Sequence, residues 1–173
     1  MNEIEIYKVT INDINLLQAI SRQTFSETFS ELNNPSDMQS YLTEELSVEK
    51  LISELNNPHS DFYFISNKHM VIGYLKLNFG PAQTEPYNHA IEIERIYILK
   101  EFHGKQIGQL LYDKAIEIGQ QQNADFVWLG VWEKNLRAIA FYKKNGFEEF
   151  DKHFFRLGND LQTDILMKLS LKD

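Results

Sequence analysis

The spacing of apolar residues in the first third of the chain predicts one strand followed by helices. Residues 4–9 alternate between apolar and polar types, which is typical of a half-buried strand. From Ile14 the apolar positions recur every three to five residues until the Asn-Asn-Pro break at 33–35, which indicates a helix. A second helical stripe covers 38–55 and is interrupted near Ser47. We therefore expect a strand and two helical regions before the main part of the sheet.

The rest of the chain changes repeatedly between strand-type alternation and helical spacing. The predicted elements are a hairpin over 62–77 that turns at 67–69, a strand over 89–98, a helix from about Gly104, a strand over 125–132, a helix over 135–145 and two strands over 147–171. This order predicts an α/β (α+β) protein in which helices flank a mixed sheet.

Length and composition are those of one folded domain. The chain has 173 residues, 43% of them hydrophobic and 13% aromatic, which supplies enough apolar surface for a single core. Residues 1–173 are therefore expected to form one domain. No stretch approaches the roughly 18 to 20 apolar residues that a membrane helix needs, and residues 1–10 lack the layout of a signal peptide. These features predict a cytoplasmic protein with no membrane partner.

The net charge and the absence of cysteine exclude several kinds of ligand and site. The formal net charge of -8 is expected to repel nucleic acid, and carboxylates that line a cleft would attract cationic ligands. Solubility alone is the alternative reason for such acidity. With no cysteine, the chain has no disulfide, no thiolate metal site and no cysteine-bound acyl intermediate. The five histidines lack metal-ligand spacing, so we predict no metal.

Two motifs stand in a fixed order in the second half of the chain. The first joins the strand at 93–98 to a turn at 102–108, and the second runs from Asn135 to the Gly-Phe pair at 146–147. With the tryptophan-bounded strand 128–132 between them, they resemble the acetyl-CoA-binding region of the GCN5-related N-acetyltransferase (GNAT) family. The stretches most similar to the PaiA-type spermidine/spermine N-acetyltransferases of this family are 91–98, 128–135, 138–144 and 162–164.

The resemblance implies the GNAT fold and a site for acetyl-CoA. This fold is a mixed, mostly antiparallel sheet of six to seven strands flanked by helices, and its central strands splay apart. We expect the parting between strands 91–98 and 126–132, with backbone groups there pairing with pantetheine and stabilising the oxyanion. The cofactor-binding residues that the resemblance implies are Ile96, Tyr97, Ile98, His103, Gly104, Lys105, Gln106, Ile107, Gly108, Gln109, Asn135 and Lys144.

The turn expected to bind pyrophosphate departs from the family pattern. The family has Gln or Arg, two residues, Gly, one residue, and Gly or Ala; these positions hold His103, Gln106 and Gly108. Backbone N–H groups at a helix N-terminus bind phosphate without requiring a particular side chain, and Lys105 is expected to add a positive charge. The alternative for Gly104 and Gly108 is an ordinary helix start with one small packing residue.

Transfer of an acetyl group from acetyl-CoA to an amine, the reaction that the resemblance implies, needs a base and an acid. A protonated alkylamine has a pKa of about 10 and must lose a proton before it attacks a thioester. Glu92 and Glu94 are two residues apart on a predicted strand and so project from one face. The resemblance implies Glu94 as base, Glu92 as relay or substrate anchor, and Tyr142 as the general acid for the CoA thiolate. The alternatives are a solvated strand face for the glutamates and aromatic packing for Tyr142.

The resemblance and the acidic charge together predict a small cationic amine as acceptor, with spermidine and spermine first, in direct transfer within a ternary complex. The carboxylates expected to line its site are Glu27, Glu31, Glu44, Glu45, Glu92 and Glu94. One alternative within the fold is acetylation of a protein N-terminus, a lysine or another small amine. An alternative of another class is a non-catalytic acyl-CoA-binding regulator. Whether the chain forms a homodimer is left open.

Overall fold

The computed structural model describes residues 3–173, which form a seven-stranded sheet flanked by helices. The strands are β1 (Ile4–Lys8), β2 (Ser60–Asn67), β3 (Met70–Phe79), β4 (Ala90–Ile98), β5 (Phe126–Trp132), β6 (Glu148–Leu157) and β7 (Asp160–Ser170). The helices are α1 (Ile14–Phe29), α2 (Pro35–Glu44), α3 (Val48–Leu55), α4 (Ile107–Gln121) and α5 (Leu136–Lys144). The predicted α/β (α+β) architecture is confirmed.

Two helix boundaries differ from or refine the sequence prediction. The stripe at 38–55 divides into α2 and α3 because the Ser47 side chain accepts a hydrogen bond from the Lys50 N–H and caps a new helix. The helix predicted from about Gly104 begins only at Ile107. Gly104 and Gln106 both have positive φ angles, which an α-helix does not allow, so the residues before Ile107 form a turn.

The strand order is β1-β2-β3-β4-β5-β7-β6, and β4 and β5 are the parallel pair. This pair is joined only at its first residues, where Ala90, Ile91 and Glu92 lie opposite Phe126, Val127 and Trp128. Beyond Glu92 the two strands separate. The splayed central strands predicted from the family resemblance are therefore confirmed.

The core lies between the helices and the middle of the sheet. Strand β3 is buried along most of its length and contacts helices α1 and α4, while the edge strand β6 is largely exposed. Leu17 of α1, Leu75 of β3 and Leu111 of α4 are completely inaccessible to solvent. Over residues 3–173 no helix combines the length and the apolar character needed to cross a membrane.

Candidate active site

The sheet opens between β4 and β5, and a cavity of about 1550 Å³ occupies the opening. Among the described strands, only β3 pairs with β4 beyond Glu92, so one backbone edge of β4 is open. Ile96, Tyr97 and Ile98, three of the predicted cofactor residues, lie on this part of β4 and line the cavity. An open strand edge can hold an extended ligand through backbone hydrogen bonds.

The turn before α4 forms one end of the cavity. Gly104 has a φ of 75° and Gln106 a φ of 61°, so both adopt the left-handed conformation. Gln106 thus takes the conformation that glycine supplies in the family pattern, at a cost of about 1–2 kcal/mol for a residue with a Cβ. Ile107, Gly108 and Gln109 follow at the N-terminus of α4, where the first N–H groups lack helical partners, and they line the cavity. The geometry is that of an anion site.

Cationic side chains gather at the same end of the cavity. Lys100, Arg137 and Lys144 all line it, and Lys144 was among the predicted cofactor residues. Arg137 was missed, although it stands two residues after Asn135 within the second motif. Lys105 was predicted to add a positive charge here, but it does not line the cavity, and its ammonium lies 5.1 Å from the centre of the Phe102 ring.

His103 joins the turn to the end of β4. Its Nε2 lies 2.8 Å from the Ile98 carbonyl oxygen, and its Nδ1 contacts the Arg137 guanidinium. Because a guanidinium only donates hydrogen bonds, Nδ1 is the acceptor and Nε2–H donates to Ile98. Burial, together with the charge of Arg137, lowers the pKa of His103. His103 is therefore neutral at pH 7 and fixes the turn against the open strand.

Glu92 is held from two directions and is only 3% exposed. Its Oε2 accepts hydrogen bonds from the Thr84 N–H at 2.7 Å and from Asn78 Nδ2 at 3.2 Å, and its Oε1 accepts one from Thr84 Oγ1 at 2.6 Å. Burial raises the pKa of Glu92 even though these hydrogen bonds act in the opposite direction. Of the two glutamates predicted for catalysis, Glu92 is the one whose proton affinity is enhanced.

Glu94 lies at a bulge in β4 and is held by cations. Ile93 and Arg95 pair with adjacent residues of β3, which leaves Glu94 without a partner across the ladder. Its Oε2 accepts from Lys76 Nζ at 2.5 Å and from Asn78 Nδ2 at 2.6 Å. Burial acts to raise the pKa of Glu94, but the charges of Arg95 and Lys76 outweigh it and lower the pKa. Glu94 is therefore ionised at neutral pH.

Glu54 of α3 completes a buried charge network that sequence reasoning missed. The Arg95 guanidinium donates to both Glu54 oxygens, at 2.8 and 3.0 Å, and Lys76 Nζ lies 3.3 Å from the same carboxylate. Through Asn78 the network reaches Glu92 and Glu94. The one sequence signal was the presence of a lysine and an arginine inside strands that are otherwise mostly apolar.

Tyr142 and Asn135 of the second motif also reach the cavity. Burial raises the pKa of Tyr142, so its hydroxyl keeps its proton at neutral pH and can serve as a donor. Asn135 caps α5 by accepting a hydrogen bond from the Ala138 N–H at 3.2 Å. The cap and a place on the cavity wall are thus combined in one residue.

The acidic lining differs in part from the predicted set. Glu27, Glu45, Glu92 and Glu94 line the cavity, whereas Glu31 and Glu44 do not. Glu27 accepts a hydrogen bond from the Lys100 N–H at 2.8 Å, which places it at the end next to the turn. The acidic lining residues that sequence reasoning missed are Glu54, Glu85 and Asp164.

His153 of β6 lies between two of these carboxylates. Its Nδ1 is 3.1 Å from Glu85, and its Nε2 is 3.2 Å from Asp164. The hydrogen bond that His153 donates to Asp164 is the main cause that raises the pKa of His153, and its hydrogen bond to Glu85 adds to the effect. These three residues line the same cavity as Glu92 and Glu94.

We expect the free energy of unfolding to fall as pH rises through the folded-state pKa of His153. Because this pKa lies above the ordinary value of about 6.5, its stabilising effect is fully present below that value and is lost at higher pH. The measurement is urea unfolding between about pH 5.5 and about pH 8.5. His153→Asn should flatten the pH dependence, and His69→Asn, at an exposed hairpin position, should leave it intact. An unchanged slope in His153→Asn would contradict the assignment.

The residues that line the cavity are suited to bind acetyl-CoA. The open edge of β4 offers backbone groups to an extended arm, the N-terminus of α4 offers N–H groups to a pyrophosphate, and Lys100, Arg137 and Lys144 offer positive charge. Bound acetyl-CoA would supply the acetyl thioester. The acidic network and Tyr142 line the remainder of the cavity.

Comparison with known proteins agrees with this geometry. Residues 22–147 match the Acetyltransferase (GNAT) family. The chain is 41% identical over 172 residues to an uncharacterised N-acetyltransferase of Lactobacillus delbrueckii subsp. lactis, with 99% of each chain covered. It is 28% identical over 152 residues to the spermidine N(1)-acetyltransferase of Thermoplasma acidophilum, covering 86% of this chain and 90% of that protein.

A solved structure shares the architecture. The PaiA N-acetyltransferase of Thermoplasma acidophilum, crystallised with coenzyme A, superposes with a TM-score of 0.80 at 25% identity, covering 97% of this chain and 99% of that one. The predictions of family, fold and acetyl-CoA as co-substrate are confirmed. The chain belongs to the GNAT family and is an acetyl-CoA-dependent N-acetyltransferase.

Proposed function

We propose that the enzyme acetylates a primary amine of a small polycation, with spermidine and spermine as the first candidates. The observation that carries the proposal is the charge of the buried network. Glu54, Glu92 and Glu94 bring three carboxylates, whereas Lys76 and Arg95 bring two cations. With all groups ionised, one negative charge is left over in a site shielded from water. An ammonium group would balance it.

The rest of the acceptor region is also lined by carboxylates. Outside the buried network and away from the turn before α4, three carboxylates line the cavity (Glu45, Glu85 and Asp164) against one lysine and one arginine (Lys50 and Arg156). Glu85 and Asp164 share only the charge of His153, so a second ammonium of an extended acceptor would find a partner there.

For proton removal, the contacts support an exchange of the two predicted glutamate roles. Glu94 is ion-paired with Lys76 and has a lowered pKa, which makes it a weak proton acceptor. Glu92 lines the cavity with a raised pKa, which brings it closer to the optimum for a base near neutral pH. We therefore assign Glu92 as the acceptor of the amine proton, through a water molecule. Glu94 is assigned to hold the ammonium.

For proton donation, Tyr142 is assigned as the general acid. Its buried hydroxyl has a raised pKa and remains protonated until a strong base forms beside it. The departing thiolate sulfur is such a base, and the phenol proton would go to it. Backbone N–H groups on the open edge of β4, near Ile96, are assigned to the oxyanion.

The likeness to the Thermoplasma spermidine N(1)-acetyltransferase supports a polyamine acceptor, because it extends over 86% of this chain. Acetylation of a peptide N-terminus remains the competing function within the family. We favour the polyamine because the carboxylates found in the cavity come from four separate helices and strands and from two loops and still converge there.

A substrate panel tests the proposal. With acetyl-CoA, spermidine and spermine should give kcat/KM values at least about tenfold above those of a peptide with a free N-terminus or an aminoglycoside, because only an extended polyamine meets both acidic regions. Release of free thiol measures the rate. The preference should weaken as salt is raised, since it is electrostatic. Efficient acetylation of the peptide with none of the polyamines would overturn the proposed acceptor.

A further inference from the structure

We propose that Thr84 is a positioning residue for the reaction, which holds the Glu92 carboxylate at the angle that faces the acceptor amine. This inference rests on the proposed function, in which Glu92 accepts the amine proton. Thr84 belongs to the segment that joins β3 to β4, outside both motifs that identify the family. Sequence reasoning assigned it no role.

The contact between Thr84 and Glu92 is two-pronged. The Thr84 N–H donates to Oε2 at 2.7 Å and the hydroxyl donates to Oε1 at 2.6 Å, so each carboxylate oxygen has its own donor on one residue. Two such bonds fix the plane of a carboxylate as a single bond does not. Asn78 supports Oε2 from β3 at 3.2 Å. The carboxylate therefore cannot rotate freely while Thr84 stays in place.

Thr84 itself is held by its neighbour. Gln83 Nε2 donates to the Tyr87 carbonyl at 2.9 Å and to the Gly80 carbonyl at 3.2 Å, which closes the segment on itself. Gln83 Oε1 accepts from Trp128 Nε1 at 2.8 Å. Trp128 is completely buried and lies opposite Glu92 where β4 and β5 pair. The segment is thus tied to β5 at the level of the carboxylate that Thr84 holds.

The hydrogen bonds from Thr84 also tune protonation. They lower the pKa of Glu92 against the larger effect of burial, so loss of the hydroxyl should raise the pKa further. The ionisable groups around the same cavity include Glu94 and Arg95 on β4, Lys76 on β3, Glu54 on α3, Glu85 beside Thr84, His153 on β6 and Asp164 on β7. All of these stay in place in a Thr84 variant.

The test compares Thr84→Val with Thr84→Ser in the full-length enzyme with acetyl-CoA and spermidine. Valine keeps the shape and the backbone N–H but removes the hydroxyl, whereas serine keeps both donors. We expect Thr84→Val to shift the acidic limb of the kcat/KM profile upward by about one pH unit. Its kcat at pH 7 should fall about tenfold, and Thr84→Ser should restore both. Thr43→Val, at an exposed position on α2, is the control and should behave like wild type.

Each outcome decides the role of Thr84. If Thr84→Val has the same pH profile of kcat/KM as the wild-type enzyme, the positioning role of Thr84 is wrong. Activity of the wild-type enzyme on spermidine would still support the proposed function in that case. A limb that is equally shifted in Thr84→Ser also overturns the positioning role, because the hydroxyl is then not the cause. If Thr84→Val does not fold, Thr84→Ala is measured in its place against the same criteria. Failure of the wild-type enzyme on all polyamines is instead a failure of the proposed acceptor.

Discussion

Replacing Tyr142 with Phe should lower kcat at least about 100-fold, which is within the usual range for loss of a general acid. The variant keeps the ring that packs against Phe141 and Phe147 and loses only the hydroxyl. Binding of acetyl-CoA should change little, because Tyr142 is assigned to the departing sulfur rather than to the phosphates. Steady-state release of free thiol gives kcat, and calorimetric titration with CoA gives the affinity.

Tyr112→Phe is the matched control for this experiment. Tyr112 lies on α4, outside the cavity wall, and its hydroxyl donates to the Asn145 carbonyl at 3.2 Å. Its loss should reduce stability slightly and leave kcat near the wild-type value. Full activity in Tyr142→Phe would remove the assigned acid. If the wild-type protein binds CoA but shows no turnover, a non-catalytic acyl-CoA-binding regulator is favoured.

Replacing Glu92 with Gln should lower kcat/KM for spermidine about 100-fold and remove the acidic limb of its pH profile. Glutamine has nearly the same size but cannot accept the amine proton at neutral pH. Its NH₂ group also faces the Thr84 donors that the carboxylate accepts from, so the side chain will be less well held. The profile is measured by thiol release between about pH 5.5 and about pH 9.5.

Glu94→Gln is the comparison that separates the two glutamates. It removes a charge that is paired with Lys76, so the expected effects are a higher KM for spermidine and lower stability, with the acidic limb retained. If the limb disappears in Glu94→Gln and survives in Glu92→Gln, the original assignment of Glu94 as base is correct and the exchanged roles are wrong.

The elements of the fold were largely predictable because their signals are local. Alternation over 4–9 and 89–98, and helical spacing after Ile14, depend only on neighbouring residues and on the period of each backbone conformation. The start of α4 was misplaced by three residues. The side chain of Gln106 does not indicate a left-handed backbone, which glycine usually indicates; only its place at a glycine position of the family pattern points to that conformation.

The membership of the candidate site was only partly predictable. Glu92 and Glu94 were found because they lie on a strand of a recognisable motif. Glu54 was not, because it sits on α3 and meets Arg95 from 41 positions away in the chain. Glu31 was expected to line the site and instead pairs with Lys100 at 3.6 Å near the surface. Convergence of distant residues is a property of packing, which no local pattern encodes.

The sequence by itself determined the order of strands and helices along the chain, because periodicity is local, and it indicated the family and the use of acetyl-CoA through two motifs that resemble those of the GNAT family. The tertiary structure decided which carboxylates meet in the cavity and how readily each takes a proton. Glu92 and Glu94 are chemically identical and two residues apart, yet burial raises the pKa of one while Lys76 and Arg95 lower that of the other. Electrostatic interactions depend on distance in space and on access to water, and folding alone sets both.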